Sequence, residues 1–136
     1  MGCSCNNYMI TGLYIAVFAL VQVVMIVWIA RTRIRERISL GTGDSDVLEC
    51  KSRVYGNFTE VVPPAILLMV IAELSGAPLW IIHWMGVLMI ISRISHAIGL
   101  IKPPGYGPFR MAGVLITLAV FLIGALICIS LAWPRL

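Results

Sequence analysis

The sequence predicts an all-α membrane protein, a four-transmembrane-helix up-down bundle, and three observations predict it. Hydrophobic residues make up 60% of the chain and charged ones 12%, about half the charged share usual in soluble domains. Mean hydropathy is +0.99. Four apolar runs, each long enough to cross ~30 Å of hydrocarbon, are joined by short polar or Pro/Gly-rich segments, the layout of an antiparallel bundle. The net charge of +4 is concentrated in one short segment. That distribution fits positive-inside topology and not a nucleic-acid footprint, so no nucleic-acid partner is expected.

Residues 10 to 30, ITGLYIAVFALVQVVMIVWIA, carry no charge and form the first span; RTRIRER closes it. GTGDSD (41–46) is the expected turn, with Asp46 as the expected helix N-cap. The second helix then starts near Val47 with its first turns outside the hydrocarbon, spans the membrane over about 54–74, and ends in the tight SGAP connection (75–78). Residues 79–101 form the third span. KPPGYGP (102–108) is a rigid loop, and 109–133 form the fourth span, which makes residues 1–136 a single transmembrane domain. Pro63-Pro64 deletes two helical hydrogen bonds and is expected to kink span two.

Orientation follows from the basic residues. Arg31, Arg33, Arg35, Arg37 and Lys51 lie in or beside the first loop, and Lys102 and Arg110 at the third. The second loop has none. Loops one and three are therefore expected in the cytoplasm and both termini outside it, with Arg135 the discordant charge. The loop arginines read first as topology anchors that snorkel to headgroups, and Trp28, Trp80, Trp84 and Trp133 as interfacial belts. No cleavable leader is expected, since no basic n-region or small-residue cleavage site accompanies the first run. Cys3, Cys5, Cys50 and Cys128 form no paired CxxC sets, so neither a metal site nor a disulfide framework is expected. The opening MGC has Asn6 where a myristoylation pattern needs Ser or Thr.

The chemistry lies in polar residues inside the spans. In RVYGNFTEVVPP, Arg53, Asn57 and Glu60 fall at i, i+4 and i+7 and share one stripe, with Gly56 beside it. Glu60 sits ~10 Å deeper than Arg53, where a lone carboxylate needs a partner. Span three offers Arg93 and His96 in SRISHAIGL, on a stripe in the same half of the bundle. Arg110 opens span four from that side, and Arg31 ends span one there. A Glu60–Arg93 pair is the expected match; as an isolated pair it would be structural glue. Glu73 and His83 fall at the opposite end and are expected to face interfacial water.

RVYGNFTEVVP resembles the second-helix signature of the MAPEG family, the membrane-associated proteins in eicosanoid and glutathione metabolism. The resemblance extends over about residues 10–133, through GTGD, AELSG, SRISHAIGL and PFR, and its style is closer to bacterial members. It implies a homotrimer with glutathione bound as cosubstrate between subunits in the cytoplasmic leaflet. Arg53, Asn57, Glu60, His96 and Arg31 would hold the tripeptide. Glu60 would meet its amino group, and arginines, Arg93 among them, its carboxylates. Arg110 matches the arginine that would stabilise the thiolate. Lowering a thiol pKa by two units requires about 2.7 kcal/mol of differential stabilisation.

The implied activity is a glutathione transferase or peroxidase acting on lipophilic electrophiles or hydroperoxides that arrive through the bilayer. The implied location is a bacterial inner membrane, or the endoplasmic reticulum in a eukaryote. One departure bears on catalysis: four residues after His96, where several catalytic members carry tyrosine, this chain has Leu100. Tyr106, in the loop before Arg110, is the candidate substitute. A non-catalytic lipid-binding or scaffold member fits the same residues. A small proton-coupled transporter fits the length, although span one offers only Gln22 as a clearly polar residue.

Overall fold

The computed structural model describes residues 10–101 and 107–133. These form α1 (Ile10–Glu36), α2 (Asp46–Leu74), α3 (Leu79–Ile101) and α4 (Pro108–Ala132), and all four are long and apolar enough to cross a membrane. The bundle is all-α, as the hydropathy predicts. Lys102 and Tyr106, with Cys3, Cys5 and Arg135, lie outside the described residues.

The apolar span of α1 ends at the arginines, but the helix does not. It continues through RTRIRE, because Arg and Glu are good helix formers and water can satisfy their charges. It stops where Arg37 turns left-handed at φ 55°. Ile38 N–H then donates to Arg33 O at 3.1 Å and Arg37 N–H to Ile34 O at 3.3 Å, a Schellman closure that uses up terminal carbonyls. Arg33 Nη1 donates to Gly41 O at 2.8 Å, which folds the loop back on the helix. The cap of α2 is Ser45 rather than Asp46. Ser45 has extended backbone angles, and its Oγ accepts from Leu48 N–H at 3.1 Å, while Asp46 is already helical.

Helix α2 runs unbroken past Pro63 and Pro64, both on its exposed face. Its end is a second Schellman closure: Gly76 takes φ 92°, and Ala77 N–H reaches Ala72 O at 3.0 Å. Here the structure corrects the expectation that Glu73 faces water. Its carboxylate accepts from Ile10 N–H at 2.6 Å and Thr11 N–H at 3.0 Å, so it caps α1 from the end of α2. A helix start has several N–H groups without internal partners and a partial positive charge, and Glu73 serves both. His83 is exposed as expected, but Tyr14 Oη donates to its carbonyl at 3.0 Å and lies 3.0 Å from its Nδ1.

The core lies between α2, α3 and α4, with Met69, Ile82, Met85, Met89 and Val120 almost fully enclosed. Helices α3 and α4 form the most extensive pairing, and α1 rests against α2 and, less, α3. Phe18 joins α1 to this core by an edge-on contact with Phe58, centroids 6.1 Å apart. Close approach of α3 and α4 depends on Gly113, where a Cβ would lie 2.8 Å from His96 Cβ and from Ser92 O. Most of α1 and α4 presents exposed Leu, Ile and Val, which suits a lipid environment.

Candidate functional site

Polar groups enter the apolar bundle about halfway along α3. Ser92 and Arg93 are both buried there, and Arg93 is 9% exposed. The Arg93 guanidinium is held on two sides. Nη1 donates to Asn57 Oδ1 on α2, and Nη2 donates to Thr117 Oγ1 on α4 and to Ser92 Oγ at 2.8 Å. Ser92 Oγ and Thr117 Oγ1 lie 2.6 Å apart, and each donates to Gly113 O, at 2.9 and 2.8 Å. The bonds cross from α2 through α3 to α4. Every one of these acceptors is neutral, and Arg93 Nε has no hydrogen-bond partner among the described residues.

The expected Glu60–Arg93 pair does not form within the protomer. Asn57 sits one turn nearer Arg93 and takes its Nη1, while Glu60 points outward on the exposed face of α2. Arg53 is also exposed and pairs with Glu49, Nη2 to Oε1 at 2.8 Å and Nε to Oε1 at 2.9 Å. Glu49 extends the stripe by one turn, and the i, i+4 spacing of Glu and Arg was its legible signal.

Asn57, Arg93 and His96 come together on the wall of one cavity of ≈ 210 Å³. Apolar side chains of α1, α2 and α3 complete it, among them Met25, Trp28, Val54 and Phe58. His96 is buried and packs on Gly113. The structure does not gather the remaining candidates into this cavity. Arg31 is exposed and lines a separate hollow formed by α1 residues alone. Arg110 is half-buried in the first turn of α4, where Gly107 caps the helix and Pro108 starts it. A Cβ on Gly99 would lie 2.8 Å from Arg110 Cα, so α3 and α4 touch there through backbone. Ser95 Oγ fixes the same junction by donating to Phe109 O at 2.6 Å. Leu100 is half-buried, and its carbonyl accepts from Cys50 Sγ at 3.3 Å.

Ser92 and Thr117 complete the network and escaped the sequence reading, because small hydroxyls in apolar helices usually bond their own backbone and signal nothing. Lys51, counted in the sequence only among the basic residues that set orientation, has a defined place. Its Nζ donates to Thr32 Oγ1 at 2.6 Å and sits 4.5 Å from the centroid of a Trp28 ring, a cation–π contact.

The four-helix layout and the α2 stripe coincide with a family assignment. The MAPEG family model matches residues 11–130. The chain belongs to the MAPEG family. The inner membrane protein YecN of Escherichia coli strain K12 is 32% identical over 91 residues, which cover 67% of this chain and 70% of the relative. The YecN of E. coli O6:H1 matches to the same extent. Both relatives are bacterial, in keeping with the bacterial style of the motifs. With inner-membrane relatives and four apolar helices, this MAPEG protein is an integral, multi-pass membrane protein.

Proposed function

We propose that this MAPEG protein is a glutathione-dependent transferase or peroxidase that acts on lipophilic electrophiles or hydroperoxides. The observation that carries the reading is the outer face of α2. Arg53 and Glu60 are exposed on the protomer, with Asn57 half-buried between them, and Glu60 lies deep enough along the span that a lone carboxylate is costly in lipid. Such a face calls for partners from outside the protomer. Glutathione supplies an ammonium for Glu60 and carboxylates for the arginines, and a neighbouring subunit of a homotrimer closes the cleft.

In this arrangement the hydrogen bond from Arg93 to Asn57 Oδ1 turns the Asn57 amide N–H groups away from Arg93, available to a ligand carbonyl or carboxylate. Arg31, Arg93 and His96 complete the binding set. Arg110 is the catalytic residue: its cation, anchored at the α3–α4 junction, stabilises the glutathione thiolate. The thiolate sulfur then attacks the electrophilic atom of the lipophilic substrate, forming the S–C bond as the leaving group departs, or attacks the distal oxygen of a hydroperoxide, breaking the O–O bond to release the alcohol and leave a glutathione sulfenic acid that a second glutathione converts to the disulfide and water. In this reading the site faces the cytoplasm, the side that the basic loops favour.

The test is the thiolate absorbance that appears when glutathione is added to purified protein. Arg110→Ala is expected to raise the bound thiol pKa by about two units and to slow turnover roughly 100-fold, with binding largely kept. Arg53→Ala and Glu60→Ala are expected to weaken binding about tenfold or more. Absence of both binding and thiolate would sink the reading. A second reading, a non-catalytic lipid-binding member, is favoured by Leu100, which offers no hydroxyl where a tyrosine would stand. Tight lipid binding with no glutathione binding would decide for it.

A further inference from the structure

Two hydroxyls hold Arg93, and their effect reaches beyond it to Asn57. A guanidinium carries only donors, so every oxygen that meets it must accept. Ser92 Oγ and Thr117 Oγ1 accept from Arg93 Nη2 and give their own protons to Gly113 O, at 2.9 and 2.8 Å. For Thr117 this is the usual bond of a helical threonine to the carbonyl four residues back. Ser92 departs from that habit, because its acceptor lies on α4 and not on its own helix. The crossing is short because Gly113 has no side chain: a Cβ there would lie 2.8 Å from Ser92 O. Both hydroxyl residues are buried, so bulk water offers Nη2 no alternative acceptor.

Pinning one end of the guanidinium fixes the other. The group is a rigid planar fork. With Nη2 held between α3 and α4, Nη1 reaches α2 in one direction and meets Asn57 Oδ1. Because Nη1 can only donate, the Asn57 amide must turn its oxygen inward and its N–H groups away. Without the hydroxyls the long arginine side chain regains rotamer freedom, and Asn57 loses the bond that orders its amide. Neutral oxygens orient the charge without cancelling it, and they leave the Glu60 carboxylate to a ligand.

We propose that Ser92 and Thr117 are positioning residues for glutathione. Together they aim Arg93, and through it the Asn57 amide, at a carbonyl or carboxylate of the tripeptide; neither hydroxyl touches the ligand. The proposal rests on the glutathione reading of the α2 face and deepens it. Thr117 falls at i+7 from Arg110, on the same face of α4 two turns further along. One helix then serves the thiolate through Arg110 and orders the binding set through Thr117.

The test measures equilibrium binding of radiolabelled glutathione to the full chain in nanodiscs. Thr117→Val keeps the shape and removes the hydroxyl; it is expected to weaken binding about tenfold, the effect of one lost hydrogen bond to the ligand. Thr117→Ser restores the hydroxyl and should stay within about twofold of the wild type. A double-mutant cycle with Asn57→Ala separates positioning from general loosening of the bundle. Because Thr117 acts through Asn57, Thr117→Val should weaken binding by no more than about twofold once Asn57 is Ala. Ser92→Ala goes through the same cycle with the same expectation, and it carries the test if Thr117→Val fails to fold. Wild-type affinity in either folded variant, or losses that add to that of Asn57→Ala, overturns the proposal and leaves the transferase reading intact. A wild-type protein that binds no glutathione overturns both.

Discussion

The bundle takes one carboxylate and one guanidinium away from bulk water in two places, and it treats them differently. At the α2–α3 turn, both oxygens of Glu73 meet N–H groups of α1, where the helix start carries partial positive charge. Halfway along α3, Arg93 meets neutral oxygens, and its Nε finds no acceptor among the described residues. The first charge is neutralised by the fold and holds α1 in place. The second is oriented by the fold but not neutralised by it. A charge fixed in direction and left short of its opposite is suited to a visitor rather than to stability.

That contrast makes substitutions at the two places differ in kind. Glu73→Ala should have the largest effect, about 2 to 4 kcal/mol of lost stability, because two charge-assisted hydrogen bonds vanish and two buried-end N–H groups lose their acceptor. Denaturant titration in detergent measures it, and a tolerated change would erase the contrast. Gly113→Ala comes next at about 1 to 3 kcal/mol, since its Cβ would lie 2.8 Å from His96 Cβ and force α3 from α4. Tyr14→Phe should cost about 1 kcal/mol by removing one hydrogen bond to His83 O. Arg93→Met should change stability least, within about 1 kcal/mol in either direction, because the desolvation cost leaves together with the hydrogen bonds. A loss at Arg93→Met as large as that at Glu73→Ala would show that the arginine is structural after all.

The same contrast explains what could be read from the chain. The helices were legible because apolar runs of membrane length leave few alternatives, and α3 begins at residue 79, where the expected span begins. Boundaries governed by local capping were less so. Ser45 outcompeted Asp46 as the cap through backbone angles that composition does not encode, and α1 outran its apolar segment. Stripes on single helices were visible from spacing, but rotation between helices was not. Arg93 and Glu60 were expected in the same half of the bundle, yet Asn57 is the residue turned toward Arg93. Glu73 illustrates the limit, since its partner is a helix start some sixty residues away along the chain, which no local pattern announces.

Pro63 and Pro64 lack amide hydrogens, so the carbonyls of Thr59 and Glu60 lose the helical donors they would otherwise have. At membrane depth those oxygens point along the helix toward its C-terminal half, next to the Glu60 carboxylate. One end of the α2 stripe thus gathers negative potential, while at the other Arg53 is already paired with Glu49. On the glutathione reading proposed above, the ammonium of a guest lying along the stripe would be drawn toward the prolines. A doubly anionic molecule without an amine would be repelled at half of its length.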